Sequence, residues 1–266
     1  MNIGVFDSGF GGLTVLRALL EHIPGADFCY LGDTARLPYG AKSRQTVARY
    51  ATSSARFLVE EGAEYLVIAC NTASALALDD IRAAVSVPVL GVVETGANAA
   101  RASSATGDVL VIATAATVES HAYAAACAER GLRVLEKACP LLVPLVEEGW
   151  IDRPVTAEVL RIYMTELMEQ AQAARFTPDT LVLGCTHYPL LRAQIERTVP
   201  RSLRVIDSAE VTAEQVAQVL GAGGGAANPG SRVRFFATDS VAKFAALGSR
   251  FLGRTIPRVD LVDLGG

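Results

Sequence analysis

Two short stretches hold the residues best equipped for chemistry. Leu66-Val67-Ile68-Ala69-Cys70-Asn71-Thr72 is an apolar run that ends in a thiol, an amide and a hydroxyl. Leu181-Val182-Leu183-Gly184-Cys185-Thr186-His187 repeats that plan 115 residues later. A thiol can act as an acid, as a base or nucleophile once ionised, or as a metal ligand. A single cysteine at the end of a buried run is commonly just a small hydrophobe. Two at matching places in two halves of a chain predict one cleft with a thiol on each wall, because ligands of open parallel sheets bind beyond the carboxyl ends of the strands. His187, two residues past Cys185, is the one histidine beside a candidate catalytic group; His22 and His121 fall in helix-like stretches and are assigned structural roles. Cys29 lies inside a strand-like run, Cys127 in an alanine-rich helix and Cys139 before Pro140, and these three are expected to be core thiols.

The elements that must position the thiols alternate between strand and helix, which predicts an α/β fold with mainly parallel sheets. Candidate strands are 3–6, 27–31, 65–69 and 89–93, then 108–113, 132–136, 180–184 and 203–206. Paired members are about 105 residues apart at first and about 115 later, the extra length falling near Pro140–Phe176. That insertion holds a long helix starting after Asp152-Arg153, with Pro154 suited to a first turn. The simplest account is two similar domains, each a mainly parallel sheet flanked by helices, related by internal duplication, with the active site in the cleft between them. A ninth strand at 233–237 and a helix around 240–247 lie outside the repeat and are expected to return to the first domain. The expected division is 1–96 plus 208–266 for the first domain and 97–207 for the second, with crossings near Gly96 and Asp207. The glycine-rich tract Gly221–Gly230 reads as an exposed loop.

Composition narrows the function classes. The 266 residues are 51% hydrophobic and 20% charged, which fits a folded chain and not a disordered one. Net charge is −4 and the lysines are Lys42, Lys137 and Lys243 alone, so a nucleic-acid or anionic-membrane surface is not expected. Met1-Asn2-Ile3-Gly4 lacks the pattern of a secretion signal, and no apolar run reaches the ~18 residues needed to span a bilayer. Five cysteines without tight spacing fit reduced thiols in a cytoplasm.

Further motifs gather at equivalent strand ends. Asp7-Ser8-Gly9-Phe10-Gly11-Gly12 follows the first strand. Its glycines, with Asp33 after the second strand, invite a dinucleotide reading. Thr14 replaces the third glycine of that fingerprint, however, and Asp7 would set a negative charge where a pyrophosphate should lie. An amine-bearing substrate suits these residues better: Asp7 can pair with an ammonium, while Ser8 and the nearby backbone offer hydrogen bonds. Pro38-Tyr39-Gly40 suggests a turn exposing N–H groups to a carboxylate, or a purely structural turn. Thr114 and Thr117 mirror the Asp7-Ser8 position in the second half, although helix capping accounts for Thr117 equally well. Glu147 and Glu148 fall on a short apolar segment, where a solvated helix face is the plain alternative.

Together these residues resemble the glutamate racemases of the cofactor-independent aspartate/glutamate racemase superfamily. The resemblance is carried by Val5-Phe6-Asp7-Ser8-Gly9-Phe10-Gly11-Gly12-Leu13, Gly32-Asp33-Thr34-Ala35-Arg36, Pro38-Tyr39-Gly40 and Ala69-Cys70-Asn71-Thr72-Ala73. It continues in Pro144-Leu145-Val146-Glu147-Glu148-Gly149 and Leu183-Gly184-Cys185-Thr186-His187-Tyr188-Pro189-Leu190. Leu37 departs from the pattern, in which an aromatic is common, without touching any proposed chemistry. The resemblance implies interconversion of L- and D-glutamate, supply of D-glutamate for peptidoglycan, a cytoplasmic location, no cofactor and no metal, no nucleic-acid or membrane partner, and a homodimer. It further implies that Cys70 deprotonates D-glutamate and Cys185 L-glutamate. Asp7 and His187 would be their auxiliary acid–base groups, with Glu147 on the second side. Ser8, Asn71, Thr72, Thr114, Thr117 and Thr186, with Asp7 and the turn at Pro38, Tyr39 and Gly40, would hold the substrate.

The implied reaction accounts for two thiols. Inverting a stereocentre requires a base on one face of Cα and an acid on the other, since a single base returns the proton where it took it. An ordinary cysteine has a pKa of about 8.5, so each thiolate needs help from donors, a cation or a helix N-terminus, and both cysteines are expected where a helix begins. Three competitors remain open at this level: a racemase of aspartate or hydantoins, a zinc hydrolase using Cys70, Cys185 and His187, and a binding protein on the same fold.

Overall fold

Period-two alternation inside the buried runs decides which way each strand faces. In the computed structural model, which describes residues 1–221 and 230–265, Ile3 and Val5 enter one core while Phe6 enters another. Leu110 and Ile112 likewise face away from Val109 and Val111. Strands buried on both faces in this way belong to parallel sheets covered by helices.

The first half of the chain runs β1 (Asn2–Asp7), α1 (Leu13–His22), β2 (Asp27–Gly32), α2 (Arg44–Glu60), β3 (Tyr65–Ile68), α3 (Asn71–Ala84), β4 (Val89–Gly91) and α4 (Val92–Ser103). The second half runs β5 (Asp108–Ala113), α5 (Ala115–Glu119), α6 (Ala122–Ala128), β6 (Arg133–Ala138), α7 (Leu142–Glu147), α8 (Pro154–Ala173), β7 (Thr180–Gly184), α9 (Arg192–Thr198), β8 (Arg204–Asp207) and α10 (Ser208–Val219). The chain closes with β9 (Val233–Ala237), α11 (Val241–Leu252) and the two-residue β10 (Asp260–Leu261). Short 3₁₀ turns at Tyr39–Ala41 and Tyr188–Leu191 complete the path.

Among the described residues there are two sheets, and every pairing is parallel. One has the order β10-β9-β2-β1-β3-β4, the other β6-β5-β7-β8. The stretch β2-β1-β3-β4 and the whole of the second sheet therefore share one order, and β3 of the first corresponds to β7 of the second. Register aligns the functional ends: Phe6 pairs with Ile68, and Ala113 with Gly184. Asp7 and Cys70 thereby lie side by side at one edge of the first sheet, and Thr114 and Cys185 at the corresponding edge of the second.

Several expected boundaries move. The run 89–93 is a strand only through Gly91; Val92 and Val93 form the first turn of α4, with Glu94 complementing the positive end of its dipole. Both valines stay buried, so an apolar pair could not distinguish the two states. The strand expected at 132–136 is shifted to Arg133–Ala138, and β10 carries too few residues to leave a periodic signal. His121 is not inside a helix: it has φ 54° and precedes α6. The long helix after Arg153 does begin at Pro154. Of the loop expected at Gly221–Gly230, residues 222–229 lie outside the described residues.

Both crossings between sheets are helical. Gly96 lies within α4 and Asp207 caps α10, its carboxylate accepting from Ala209 N–H at 2.8 Å. The two helices are joined by a buried Thr95–Thr212 hydroxyl contact of 2.6 Å and an Asn98–Gln215 amide contact of 3.0 Å. We propose that 1–96 plus 208–266 and 97–207 are the two domains, meeting along this helix pair. Among the described residues, no helix is long and apolar enough to cross a membrane.

Candidate active site

Cys70 follows β3 and caps α3. Its carbonyl accepts from Ser74 N–H at 2.8 Å, a regular first helical turn, and its Sγ accepts from Ala73 N–H at 3.4 Å. The thiol is 3.4 Å from Ser8 Oγ, to which it donates. Burial, and after it the charge of Asp7, push this thiol up to about 12 against the opposing donors at Ser8 and Ala73. Cys70 is therefore a thiol at neutral pH.

Cys185, expected at a helix start, is placed differently. Its carbonyl accepts from Tyr188 N–H at 3.1 Å, which closes a 3₁₀ turn, and an α-helical bond would need the N–H of residue 189. That residue is Pro189, which has none. The missing helix end is replaced by His187, whose Nδ1 lies 3.9 Å from Cys185 Sγ and whose Nε2 lies 3.1 Å from Glu147 Oε1. Burial by itself would push the imidazole down, but hydrogen bonds and charges from Cys185 and Glu147 outweigh it and raise the ring to about 10. An imidazolium thus stands beside Cys185, able to donate from both nitrogens. Phe251 holds the ring edge-to-face at 5.1 Å between centroids.

Asp7 ends β1 and is 1% exposed. Its Oδ2 accepts from Gly9 N–H at 2.8 Å, while Oδ1 is buried without a partner. Burial pushes the carboxyl upward, opposed by the charge of His187 and the Gly9 and Gly12 N–H groups. The carboxylate belongs to the electrostatics of both cysteine turns, but it stands behind the wall and is not among the groups that line the cavity.

That cavity encloses about 430 Å³ and is lined by both cysteines. With them stand the expected Ser8, Pro38, Tyr39, Gly40, Asn71, Thr72, Thr114, Glu147, Thr186 and His187. Thr117 is buried behind Thr72 and Thr114; the three hydroxyls form a triangle with sides of 3.0, 3.3 and 3.0 Å that links the two halves. Asn71 Oδ1 accepts from Tyr123 Oη at 2.6 Å, and its Nδ2 is buried without a partner. Tyr39 Oη donates to Asp33 Oδ2 at 2.5 Å, which fixes the turn below Gly40.

Leu37, Pro140, Val143 and Pro144 form an apolar side of the cavity not assigned from the sequence, where they look like core residues. Gly11 has a packing role that its place in the turn motif does not show. A Cβ there would lie 2.6 Å from His187 Nδ1 and overlap Thr186 Oγ1, so the first strand–helix turn and the Cys185 turn touch only because position 11 lacks a side chain. Thr14 Oγ1, which also reaches the Thr186 carbonyl at 3.2 Å, secures the same contact. The glycines of that turn therefore serve close packing of two halves, and no phosphate cradle is required to explain them.

Metal-ligating geometry occurs elsewhere. His22, Glu210 and Glu214 have donor atoms within 4.8 Å of one another on the surface, whereas Cys70, Cys185 and His187 form no such group among the described residues. All five cysteines are free thiols. A shallower depression of about 670 Å³ over α2 is lined by Arg49, Arg56, Glu60 and Asp80 among others and includes neither thiol.

Residues 3–216 match the sequence profile of the Asp/Glu/Hydantoin racemase family. The chain belongs to that family. Similar relatives lie within the same racemase group: a glutamate racemase of Koribacter versatilis is 52% identical, with 99% of this chain and 98% of that protein covered. A glutamate racemase isoform from Bacillus anthracis matches in structure with a TM-score of 0.90 and 38% identity, covering 98% of this chain and 97% of that one. The glutamate racemase of Francisella tularensis, solved in complex with D-glutamate, matches with a TM-score of 0.88 and 32% identity, covering 99% and 97%.

Proposed function

We propose that this family member is a cofactor-independent glutamate racemase that interconverts L- and D-glutamate by two-thiol proton transfer at Cα and supplies D-glutamate for peptidoglycan. The observation that carries the reading is the placement of Cys70 and Cys185 at corresponding strand ends of two sheets, both lining one cavity. The complex of the Francisella tularensis relative with D-glutamate supports the choice of substrate.

In this reading Cys185 takes the α-proton of L-glutamate while Cys70, held as a thiol, delivers a proton to the opposite face; the reverse direction exchanges the roles. The imidazolium of His187 is the counter-charge for an anion formed at Cys185, and Glu147 fixes the ring that carries it. Asp7, whose carboxyl burial pushes upward, is the second auxiliary group and acts beside Cys70. The residues lining the cavity include no Lys or Arg, so apart from the His187 imidazolium the donors available to the two substrate carboxylates are neutral. Ser8, Asn71, Thr72, Thr114 and Thr186 supply side chains, and the turn at Pro38, Tyr39 and Gly40 supplies backbone. Thr117 braces Thr72 and Thr114 from behind, and Asp7 draws the ammonium electrostatically. The first N–H groups of α3 have no partner within the helix and add positive potential beside the reacting carbon. Fixed dipoles in a largely buried site stabilise the carbanion without reorganising.

The deciding experiment follows each glutamate enantiomer by circular dichroism or chiral chromatography, with no added cofactor, beside aspartate and hydantoins. Turnover of glutamate that survives exhaustive chelation is expected; dependence on one specific metal would favour the hydrolase-type site instead. Cys70→Ala and Cys185→Ala should each abolish racemisation. In heavy water Cys185→Ala should exchange the α-hydrogen of D-glutamate alone, and Cys70→Ala that of L-glutamate alone. The opposite pattern would reverse the assignment of thiols to faces. A homodimer is the proposed assembly; the exposed apolar side chains Leu141, Trp150, Val155 and Ile162 come from one stretch and support a self-associating surface. A monomer mass by light scattering at micromolar concentration would remove it.

A further inference from the structure

Tyr123 has none of the roles described so far, yet it governs the direction of an amide in the cavity wall. It lies on α6 with 0% exposure, and its hydroxyl donates across the two halves to Asn71 Oδ1 at 2.6 Å. A phenol has one hydrogen to give, and among the described residues Oδ1 is the acceptor it reaches. Burial pushes the phenol upward, so that hydrogen is retained throughout the working pH range. With Oδ1 engaged, the planar amide must turn Nδ2 the other way. That NH₂ group is buried and unpartnered, and Asn71 itself lines the cavity. A buried donor left unpaired is unfavourable, and a ligand oxygen that accepts from it removes that cost.

The ring cannot drift. A methyl group on Gly96 of α4 would come within 3.0 Å of Tyr123 Cε1 and 3.1 Å of its hydroxyl. One on Gly184, immediately before Cys185, would come within 3.0 Å of Cε2. Two glycines from different elements thus form a slot for the ring, and the hydroxyl emerges from it against Asn71.

We infer that Tyr123 is a positioning residue of the substrate site: it locks the Asn71 amide so that Nδ2 donates to a carboxylate oxygen of the bound amino acid. The inference rests on the glutamate-binding reading of the cavity. It acts through Asn71 and touches no reacting atom, so its effect falls on binding that is the same in ground and transition states. Without the phenol hydrogen the amide can turn over and present Oδ1 to a carboxylate, which repels it.

The test uses the purified full chain and four proteins: wild type, Tyr123→Phe, Asn71→Ala and the double variant, each assayed with both enantiomers. Tyr123→Phe should raise KM by roughly 3- to 10-fold, the range of one hydrogen bond, and leave kcat within about twofold. In the Asn71→Ala background the same replacement should change KM no further, because the group it orients is gone. Gly96→Ala, which pushes the ring from its slot without touching Asn71, should raise KM in the same direction and carries the test should Tyr123→Phe not fold. An unchanged KM in Tyr123→Phe, or an equal rise with and without Asn71, would overturn the positioning role and leave the racemase reading standing. A wild-type protein that turns over neither glutamate enantiomer would remove both.

Discussion

His187 is the residue whose surroundings say most about its work. Its two nitrogens face Cys185 and Glu147, and its charge also reaches Asp7 behind the opposite turn. A group that serves Cys185 should matter more in the direction that Cys185 initiates as base. Replacing His187 by Asn is therefore expected to lower kcat for L→D more than for D→L. Because the two enantiomers are equally stable, kcat/KM must fall equally both ways, so the asymmetry is confined to kcat and KM taken separately. Near wild-type kinetics in both directions would reduce His187 to a structural role. The same replacement has a pH signature. The folded ring titrates at about 10, against about 6.5 in an unfolded chain. The folded state therefore holds the extra proton, so the stability it contributes is complete below about pH 6.5 and is lost as pH rises through about 10. The urea midpoint of the wild type should accordingly fall more steeply between those pH values than that of His187→Asn.

At the scale of elements, two turns that look alike in sequence work by different means. The turn at Cys70 opens an α-helix whose first residues, Asn71 and Thr72, line the cavity, so its positive end lies beside the thiol. The turn at Cys185 cannot, because Pro189 denies it the α-helical bond, and a histidine supplies the positive charge instead. The two turns are then pressed together at Gly11. Gly11→Ala introduces a methyl group into space held by Thr186 and His187, a change of the overpacking kind that costs roughly 1–3 kcal/mol. It should also cost more activity than stability explains, since displacement of a catalytic group by about 1 Å can reduce rate ~100-fold. The measurement is kcat at a temperature where circular dichroism shows the variant fully folded. A wild-type kcat there would mean that the two turns need not touch.

For the whole molecule, the continuity of the core argues against independent halves. One buried cluster includes Ile3, Val5 and Tyr30 from the first sheet and Leu110, Ile112 and Leu183 from the second, with α1 and α10 residues such as Leu16 and Val216 between them. Opening the cleft fully would expose part of that shared core. Trp150, the single tryptophan, lies in the second half and reports on it separately. Unfolding in urea followed by Trp150 fluorescence and by far-ultraviolet circular dichroism should give coincident transitions, with glutamate moving both upward together by mass action. Separated transitions would show that the halves unfold one after the other.

The sequence by itself determined the strand–helix alternation, the repeat, the two cysteines and the hydroxyl and amide groups around them. Each of these is local: a buried run reads as apolar, and a thiol at its end falls where parallel strands present their ligands. It also set aside a nucleotide at the glycines 9, 11 and 12 and left their backbone as a source of hydrogen bonds for an amine-bearing substrate. Tertiary structure decided what depends on residues distant in the chain. Gly11 is required by Thr186 and His187, a contact formed only when the two halves fold together. Asp7 reads as a substrate-facing carboxylate in sequence, but packing buries it behind the wall. Val92 and Val93 satisfy strand and helix patterns alike, and only their place in α4 distinguishes the two. Tyr123 leaves no motif at all, because its role consists of one hydrogen bond across the halves and a slot between two glycines, and neither can be read from spacing along the chain.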